Sequence, residues 1–168
     1  MQKNVQSTLK GGIRPPVPWR DIEYVRTAFP EPWIHDVVVG WGHCDPAQIV
    51  YTGNIPAWGI EAVEGWYRYC LGVDWSEMNL KYGVGTPFAA LGFDFKSPVR
   101  PGRILQIHVD VARIGKTSLS NRITAIQEER LCFTGQTTSV FVESLTMTPL
   151  SIPPNIRRSI EAYQSQQG

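Results

Sequence analysis

Between Asn54 and about Leu71 the apolar residues Ile55, Trp58, Ala62, Trp66 and Tyr69 recur at spacings of 3, 4, 4 and 3. That recurrence draws one stripe down a helix and fits no strand. A helix with so broad an aromatic stripe needs a wide apolar cover, which a curled sheet supplies. Glu61, Glu64 and Arg68 lie off the stripe, and Glu64 and Arg68 form a favourable i,i+4 pair. Gly59 and Gly65 each cost about 1 kcal/mol inside a helix, so another backbone is expected to approach them closely. Gly72 is a natural stop. A short helix from Ser76 to Tyr82 is expected next, with Asp74 or Trp75 before it.

The rest of the chain reads mainly as strands. Trp33 to Gly42 carries Val37, Val38 and Val39, which favour a pleated conformation. After the helices, Phe88 to Val99 reads as a strand. Leu105, Ile107, Val109 and Val111 alternate with Gln106, His108 and Asp110 at period two. Thr117 to Gln127 and Leu131 to Glu143 follow. The joints Arg100-Pro101-Gly102, Ile114-Gly115-Lys116 and Glu128-Glu129-Arg130 are short and turn-like, so consecutive strands are expected to pair as antiparallel hairpins. Pro153 and Pro154 precede a helix from Asn155 to Gln164. The order is an α+β architecture: one long helix against an antiparallel sheet of about five strands.

At 168 residues the chain suits one domain with its own core. Residues 1–32 stand apart as a Pro-rich arm holding Pro15, Pro16, Pro18, Pro30 and Pro32, with a short helix expected near Arg20 to Ala28. One reading makes it a tail. The other lays it across a partner subunit, anchored by Trp19, Tyr24 and Phe29. Residues 33–168 form the folded domain. A net charge of +1 offers no global field for nucleic acid. Cys44, Cys70 and Cys132 are an odd, dispersed set without metal-ligand spacing, which argues against a disulfide framework and suits a reducing cytoplasm. No apolar run approaches a membrane span and the first residues lack a signal core.

Chemistry concentrates where the first strand meets the long helix, in Trp41-Gly42-His43-Cys44-Asp45-Pro46-Ala47-Gln48-Ile49-Val50-Tyr51-Thr52-Gly53-Asn54. A helix start presents unpaired N–H groups and the positive end of its dipole. An acyl carbonyl placed there is polarised as in an oxyanion hole. Asp45 lies just upstream, as a nucleophile or base for splitting an activated ester. The competing reading is that Asp45 only caps a turn before Pro46. Cys44 reads as an inert buried thiol, and His35 and His108 as structural or surface residues. The Trp58, Trp66 and Tyr69 stripe reads as core. Arg157 and Arg158 read as a solvated face that could assist phosphate binding.

This segment resembles the active-site signature of the 4-hydroxybenzoyl-CoA thioesterase family of hotdog-fold proteins, roughly G-D-C-D-P-A-G-I-V-Y-x-x-N. The matches are Gly42, Cys44, Asp45, Pro46, Ala47, Ile49, Val50, Tyr51 and Asn54. Trp58, Trp75, Gly85-Thr86-Pro87, Ser97-Pro98-Val99-Arg100-Pro101-Gly102 and Lys116-Thr117-Ser118 then follow in the family's order, over residues 34–145. The resemblance implies a hotdog fold, a long helix wrapped by the sheet, assembled as a homodimer or homotetramer with active sites at the subunit interface. It implies hydrolysis of an aryl- or medium-chain acyl-CoA. Asp45 would be the catalytic carboxylate and the backbone amide at Thr52 would polarise the thioester. Tyr51, Trp75, Thr86 and Glu61 would contact the substrate. Lys116, Thr117 and Ser118 would approach the CoA phosphates. No metal and no cofactor beyond the substrate's own CoA is implied.

The chain departs from the pattern in three places. His43 replaces the acidic residue usual two positions before the catalytic carboxylate. In an extended segment His43 and Asp45 share a face, so His43 could hydrogen-bond Asp45 or help activate water. The other reading turns His43 to solvent or to the dimer partner. The acidic residue that reads a phenolic hydroxyl is missing at Ile60, and Glu61 lies one step off, about 100° around the helix. Gln48 stands where the motif usually has glycine. A thioesterase acting on acyl carrier protein, or a non-catalytic acyl-thioester binder, is the alternative function.

Overall fold

The computed structural model describes residues 26–167. Strand β1 (Ile34–Val39) gives way to a single 3-10 turn at Trp41–His43. Helix α1 (Asn54–Leu71) and helix α2 (Trp75–Tyr82) follow. Then come β2 (Val84–Gly85), β3 (Phe88–Phe95), β4 (Arg103–Ile114), β5 (Ser118–Gln127), β6 (Arg130–Val140) and β7 (Val142–Glu143). Helix α3 (Pro154–Ser165) closes the chain. The main sheet is antiparallel in the order β1-β4-β5-β6-β3, and β2 pairs with β7.

The helix stripe is core as expected. Ile55, Trp58, Ala62 and Trp66 are buried against Leu105, Ile107, Val109, Leu119 and Ile123, the inward residues of the alternating strands, while Tyr69 packs at the margin. α1 stops at Gly72, whose φ of 74° lies in the left-handed region. α2 begins one residue earlier than expected because Asp74 caps it, its side chain accepting from the Glu77 N–H at 2.8 Å. Arg68 turns to Asp74 at 3.3 Å in place of the expected pairing with Glu64.

Three further expectations are corrected. What meets the helix glycines is not backbone but aromatic rings. A Cβ at Gly59 would sit 2.6 Å from Cζ of Phe93, and one at Gly65 would collide with the Trp33 indole. Trp33 is held there by its Nε1–H, which donates to the Ala62 carbonyl at 2.9 Å. Second, β3 and β4 are not a hairpin. β3 pairs only with β6, with Phe93 opposite Gly135, while β4 lies between β1 and β5. The segment joining β3 to β4 carries Pro98 and Pro101, cannot donate at either position, and crosses beside the start of α1. Third, residues 26–28 are not helical. Phe29 anchors in its own chain, its ring 5.5 Å from Tyr69 and 5.1 Å from Tyr163. Trp19, Tyr24 and the remainder of the expected arm helix lie outside the described residues.

β3 is a free edge of the main sheet. Its inward side chains Leu91 and Phe95 stay 41% and 53% exposed because α1 covers only Phe93.

Candidate active site

Asp45 sits in a compact turn. Its N–H donates to the Ile49 carbonyl, its carbonyl accepts from the Gln48 N–H, and its Oδ1 accepts from the Ala47 N–H at 2.8 Å. Gln48 holds φ at 62°, so it has taken the left-handed conformation that a glycine at this place adopts without strain. Asp45 as a residue is half-buried.

The turn is fastened to the start of α1. Cys44 and Val50 form an antiparallel bridge around it. The His43 carbonyl accepts from the Tyr51 N–H and from Asn54 Nδ2, both at 2.9 Å. Val50 donates to the Val99 carbonyl at 2.9 Å, which ties in the β3–β4 connection. α1 has Gly53 at its N-cap with no side-chain cap. Among the described residues nothing accepts from the N–H groups of Thr52 or Gly53. A cavity of about 280 Å³ opens beside them, lined by Ile49, Val50, Thr52, Ile55 and the Phe95-to-Val99 stretch.

His43 does not form the expected hydrogen bond to Asp45. The 3-10 turn folds it back, so that Nδ1 accepts from the Gly40 N–H at 3.1 Å and the ring packs edge-on against Trp58 at 5.2 Å. A strand expected to run to Gly42 ends at Val39 for the same reason. Cys44 stays a free thiol directed at the Gly40 carbonyl, 3.7 Å away. Tyr51 is 60% exposed beside the helix start.

The other expected site residues gather at the opposite end of the sheet. Trp75 and Thr86 line a second cavity of about 360 Å³ with Asn79, Phe88, Ser144 and Met147. The Trp75 ring packs 5.8 Å from Phe88 and 6.0 Å from Tyr67. Lys116, Thr117 and Ser118 form the β4–β5 hairpin at this end. The Lys116 carbonyl accepts from Ile152, the Thr117 carbonyl from Phe141, and Ser118 pairs with Val140, whose N–H reaches the Pro87 carbonyl at 3.0 Å. Arg157 is tied in as well, donating to the Gly115 carbonyl at 2.6 Å. β3 spans the two clusters, and its 8 residues separate them by roughly 23 Å. Glu61 belongs to neither. It is exposed and lies 3.9 Å from His35 on β1.

Several residues at these sites were not expected there. Lys96 and Ser97 enter the first cavity through the unexpected crossing of the β3–β4 connection. Asn79 lines the second, and its spacing of four from Trp75 on α2 is the signal that finds it. Behind Thr86 lies Tyr67, with no exposed surface, whose phenol is 3.0 Å from Ser139 Oγ. Burial pushes that phenol well above the ordinary tyrosine range, against the hydrogen bond it shares with Ser139.

The family model of the thioesterase-like superfamily matches residues 39–160. A thioesterase superfamily structure from Jannaschia sp. CCS1 is 37% identical, covering 82% of this chain and 96% of its own, with a TM-score of 0.73. A gentisyl-coenzyme A thioesterase shares 22% identity over 76% of this chain and 98% of its own, at a TM-score of 0.68. A 1,4-dihydroxy-2-naphthoyl-CoA thioesterase from Synechocystis shares 17% over 77% and 96%, at 0.69. These last two likenesses speak for the fold. No match was found among curated proteins. With the long helix, the wrapping sheet and the matched span together, the chain belongs to the thioesterase-like superfamily and has the hotdog fold.

Proposed function

We propose that this protein hydrolyses acyl-CoA thioesters, with aryl or medium-chain acyl groups, at sites completed by a second copy of the chain. The observation that carries the reading is the free β3 edge with a half-site at each end. A strand edge left unpaired, with exposed apolar side chains beside it, is a template for pairing. Antiparallel pairing of two β3 strands about a two-fold axis sets Phe88 of one copy near Phe95 of the other. The cavity at Thr52 then adjoins the cavity at Thr86 of the second copy, and the roughly 23 Å gap within one chain closes across two. A homodimer is the smallest unit that does this.

In the joined site the N–H at Thr52 polarises the thioester carbonyl. Asp45 attacks that carbon or takes a proton from the attacking water, and CoA leaves as thiolate. Trp75 and Thr86 enclose the acyl group, and Tyr51 borders it. Lys116, with Thr117 and Ser118, holds the CoA phosphates through charge-assisted hydrogen bonds. His43 contributes its main-chain carbonyl, which fastens the Asp45 turn to the helix start. Glu61 has no part in the site. The chemistry calls on no cofactor beyond the substrate's CoA. The free thiols of Cys44, Cys70 and Cys132 suit a reducing compartment such as the cytoplasm. Among the described residues no helix is long and apolar enough to cross a membrane.

A panel of acyl-CoAs with detection of released thiol tests the proposal. Turnover of at least one aryl or medium-chain member is expected. Tight CoA binding with no turnover across the panel would make the protein a binder, and turnover confined to acyl carrier protein substrates would reassign the leaving group.

A further inference from the structure

Gly40 and His43 close the turn that carries Asp45 by exchanging two hydrogen bonds. The His43 N–H donates to the Gly40 carbonyl, and the Gly40 N–H donates to His43 Nδ1, both at 3.1 Å. The Cys44 N–H adds a bond to the Trp41 carbonyl at 3.1 Å. Closed in this way, the turn offers the His43 carbonyl to the Tyr51 N–H and to Asn54 Nδ2, both at 2.9 Å, and so ties the Asp45 segment to the start of α1. A backbone N–H can only donate, so Nδ1 must present a lone pair and Nε2 carries the single proton of the neutral ring. Protonation would place an N–H on Nδ1, opposite the Gly40 N–H, and two donors would face each other. An amide oxygen in that place would accept at any pH, whereas an imidazole accepts only while neutral. Few other charges bear on the ring. Cys44 and Asp45 are the titratable groups of its own turn, and α1 presents the Trp58 ring. Glu61, one turn further along α1, faces His35, and Arg103, opposite Val39 on β4, pairs with Glu128. Among the described residues His43 enters no ion pair.

We propose that the neutral imidazole of His43 is a positioning group for Asp45: Nδ1 keeps the 3-10 turn shut, the turn keeps the carboxylate at the helix start, and protonation of the ring opens this latch and slows catalysis. This holds on the reading that Asp45 is the catalytic carboxylate. A reacting group displaced by about 1 Å loses on the order of 100-fold in rate, so one turn-closing bond is felt in kcat. CoA is assigned to the Lys116 hairpin, at the opposite end of the sheet, so KM is left nearly constant. An imidazole takes on its proton between about pH 8 and about pH 5. Carboxylates do so lower, near about pH 4. Activity is therefore present while the ring is neutral and is lost as pH falls through the imidazole window.

The test follows kcat of full-length wild type, His43→Asn and His43→Phe from about pH 8 to about pH 5, at saturating levels of the acyl-CoA that wild type hydrolyses best. Asparagine keeps an acceptor, Oδ1, near the place of Nδ1 and takes up no proton in this range. Phenylalanine keeps a ring against Trp58 and has no acceptor. At about pH 8 His43→Asn is expected within about threefold of wild type and His43→Phe at least about 10-fold below it, with KM within about threefold in both. On acidification wild type is expected to lose at least about 10-fold relative to His43→Asn and to approach His43→Phe. Titration of the substrate is common to all three and cancels in these ratios. Nuclear magnetic resonance of nitrogen-labelled histidine, with His43 identified among the three histidines by its loss in a variant, is expected to show the Nε2–H tautomer at about pH 8. Ratios that stay constant across the range, a His43→Asn variant as slow as His43→Phe, or an Nδ1–H tautomer overturns the proposal and leaves the thioesterase reading intact. Should one variant fail to melt cooperatively, the tautomer and the ratio to the other variant decide. Wild type inactive across the whole acyl-CoA panel overturns that reading and this proposal with it.

Discussion

Replacing Asp45 with asparagine separates the chemistry of this carboxyl group from its part in the fold. The Oδ1 atom that accepts from the Ala47 N–H at 2.8 Å is retained in an amide, so the turn through Gln48 keeps its bond. What disappears is the charge, the nucleophilic oxygen and the site that takes a proton. Loss of a general base or nucleophile lowers turnover by at least about 100-fold, or about 2.7 kcal/mol at about 1.36 kcal/mol per decade. Asp45→Ala removes the same chemistry and the turn bond as well, which costs a further 1 kcal/mol or so of stability. For a chain of this size that lowers the melting temperature by about 2–4 °C. Release of CoA thiol is followed on whichever acyl-CoA wild type hydrolyses best, with thermal melts run beside it. The expected pattern is equal loss of turnover in both variants, with the alanine variant alone melting lower. Asp45→Asn turnover within about threefold of wild type, at a matched melt, would refute the catalytic assignment.

Three more outcomes follow from the structure. Gln48→Gly relieves a left-handed residue with φ of 62° and, after the extra freedom of glycine in the unfolded chain, stabilises by about 0.5–1 kcal/mol, so a melt no higher than wild type counts against the strain. Lys116→Ala is expected to raise KM at least about threefold with kcat nearly constant, and a loss confined to kcat removes Lys116 from phosphate binding. Asp74→Ala removes the α2 cap and costs about 0.5–1 kcal/mol near neutral pH. The Glu77 N–H, and then the Arg68 charge, hold the Asp74 carboxyl below the ordinary carboxylate range. A depressed folded-state pKa gives stability that is present above the unfolded value and lost as pH falls through the folded one. Denaturant melts should therefore show the wild-type advantage shrinking on acidification below about pH 4, and an advantage that grows there contradicts the assignment.

Local periodicity carried most of the fold into view. The 3.6-residue stripe of α1 and the period-two alternation of β4 depend on neighbours along the chain, and both elements stand where those patterns put them. The place of β3 was hidden, because which edge a strand joins depends on a crossing that no residue within it records. The rings over Gly59 and Gly65 were hidden likewise. A glycine announces that something comes close, but not whether a backbone or Phe93 and Trp33. At the site, Asp45 and its turn were legible as a motif, whereas the posture of His43 was not. An extended segment and a 3-10 turn differ by a few dihedral angles, and the Gly40 N–H and the Trp58 ring decide between them. Tyr67 gave no signal at all, since it stands off the named stripe and is nonetheless fully buried.

The two cavities lie at opposite ends of β3, and in the proposed dimer each centre draws one of them from each copy. Damage therefore becomes complementary in a mixed population. A copy disabled at Asp45 still lends a sound acyl pocket, and a copy disabled at Thr86 still lends a sound carboxylate. Coexpressed, two inactive alleles would restore one working centre per hybrid dimer, so that each end of β3 behaves in a genetic cross as if it were encoded separately.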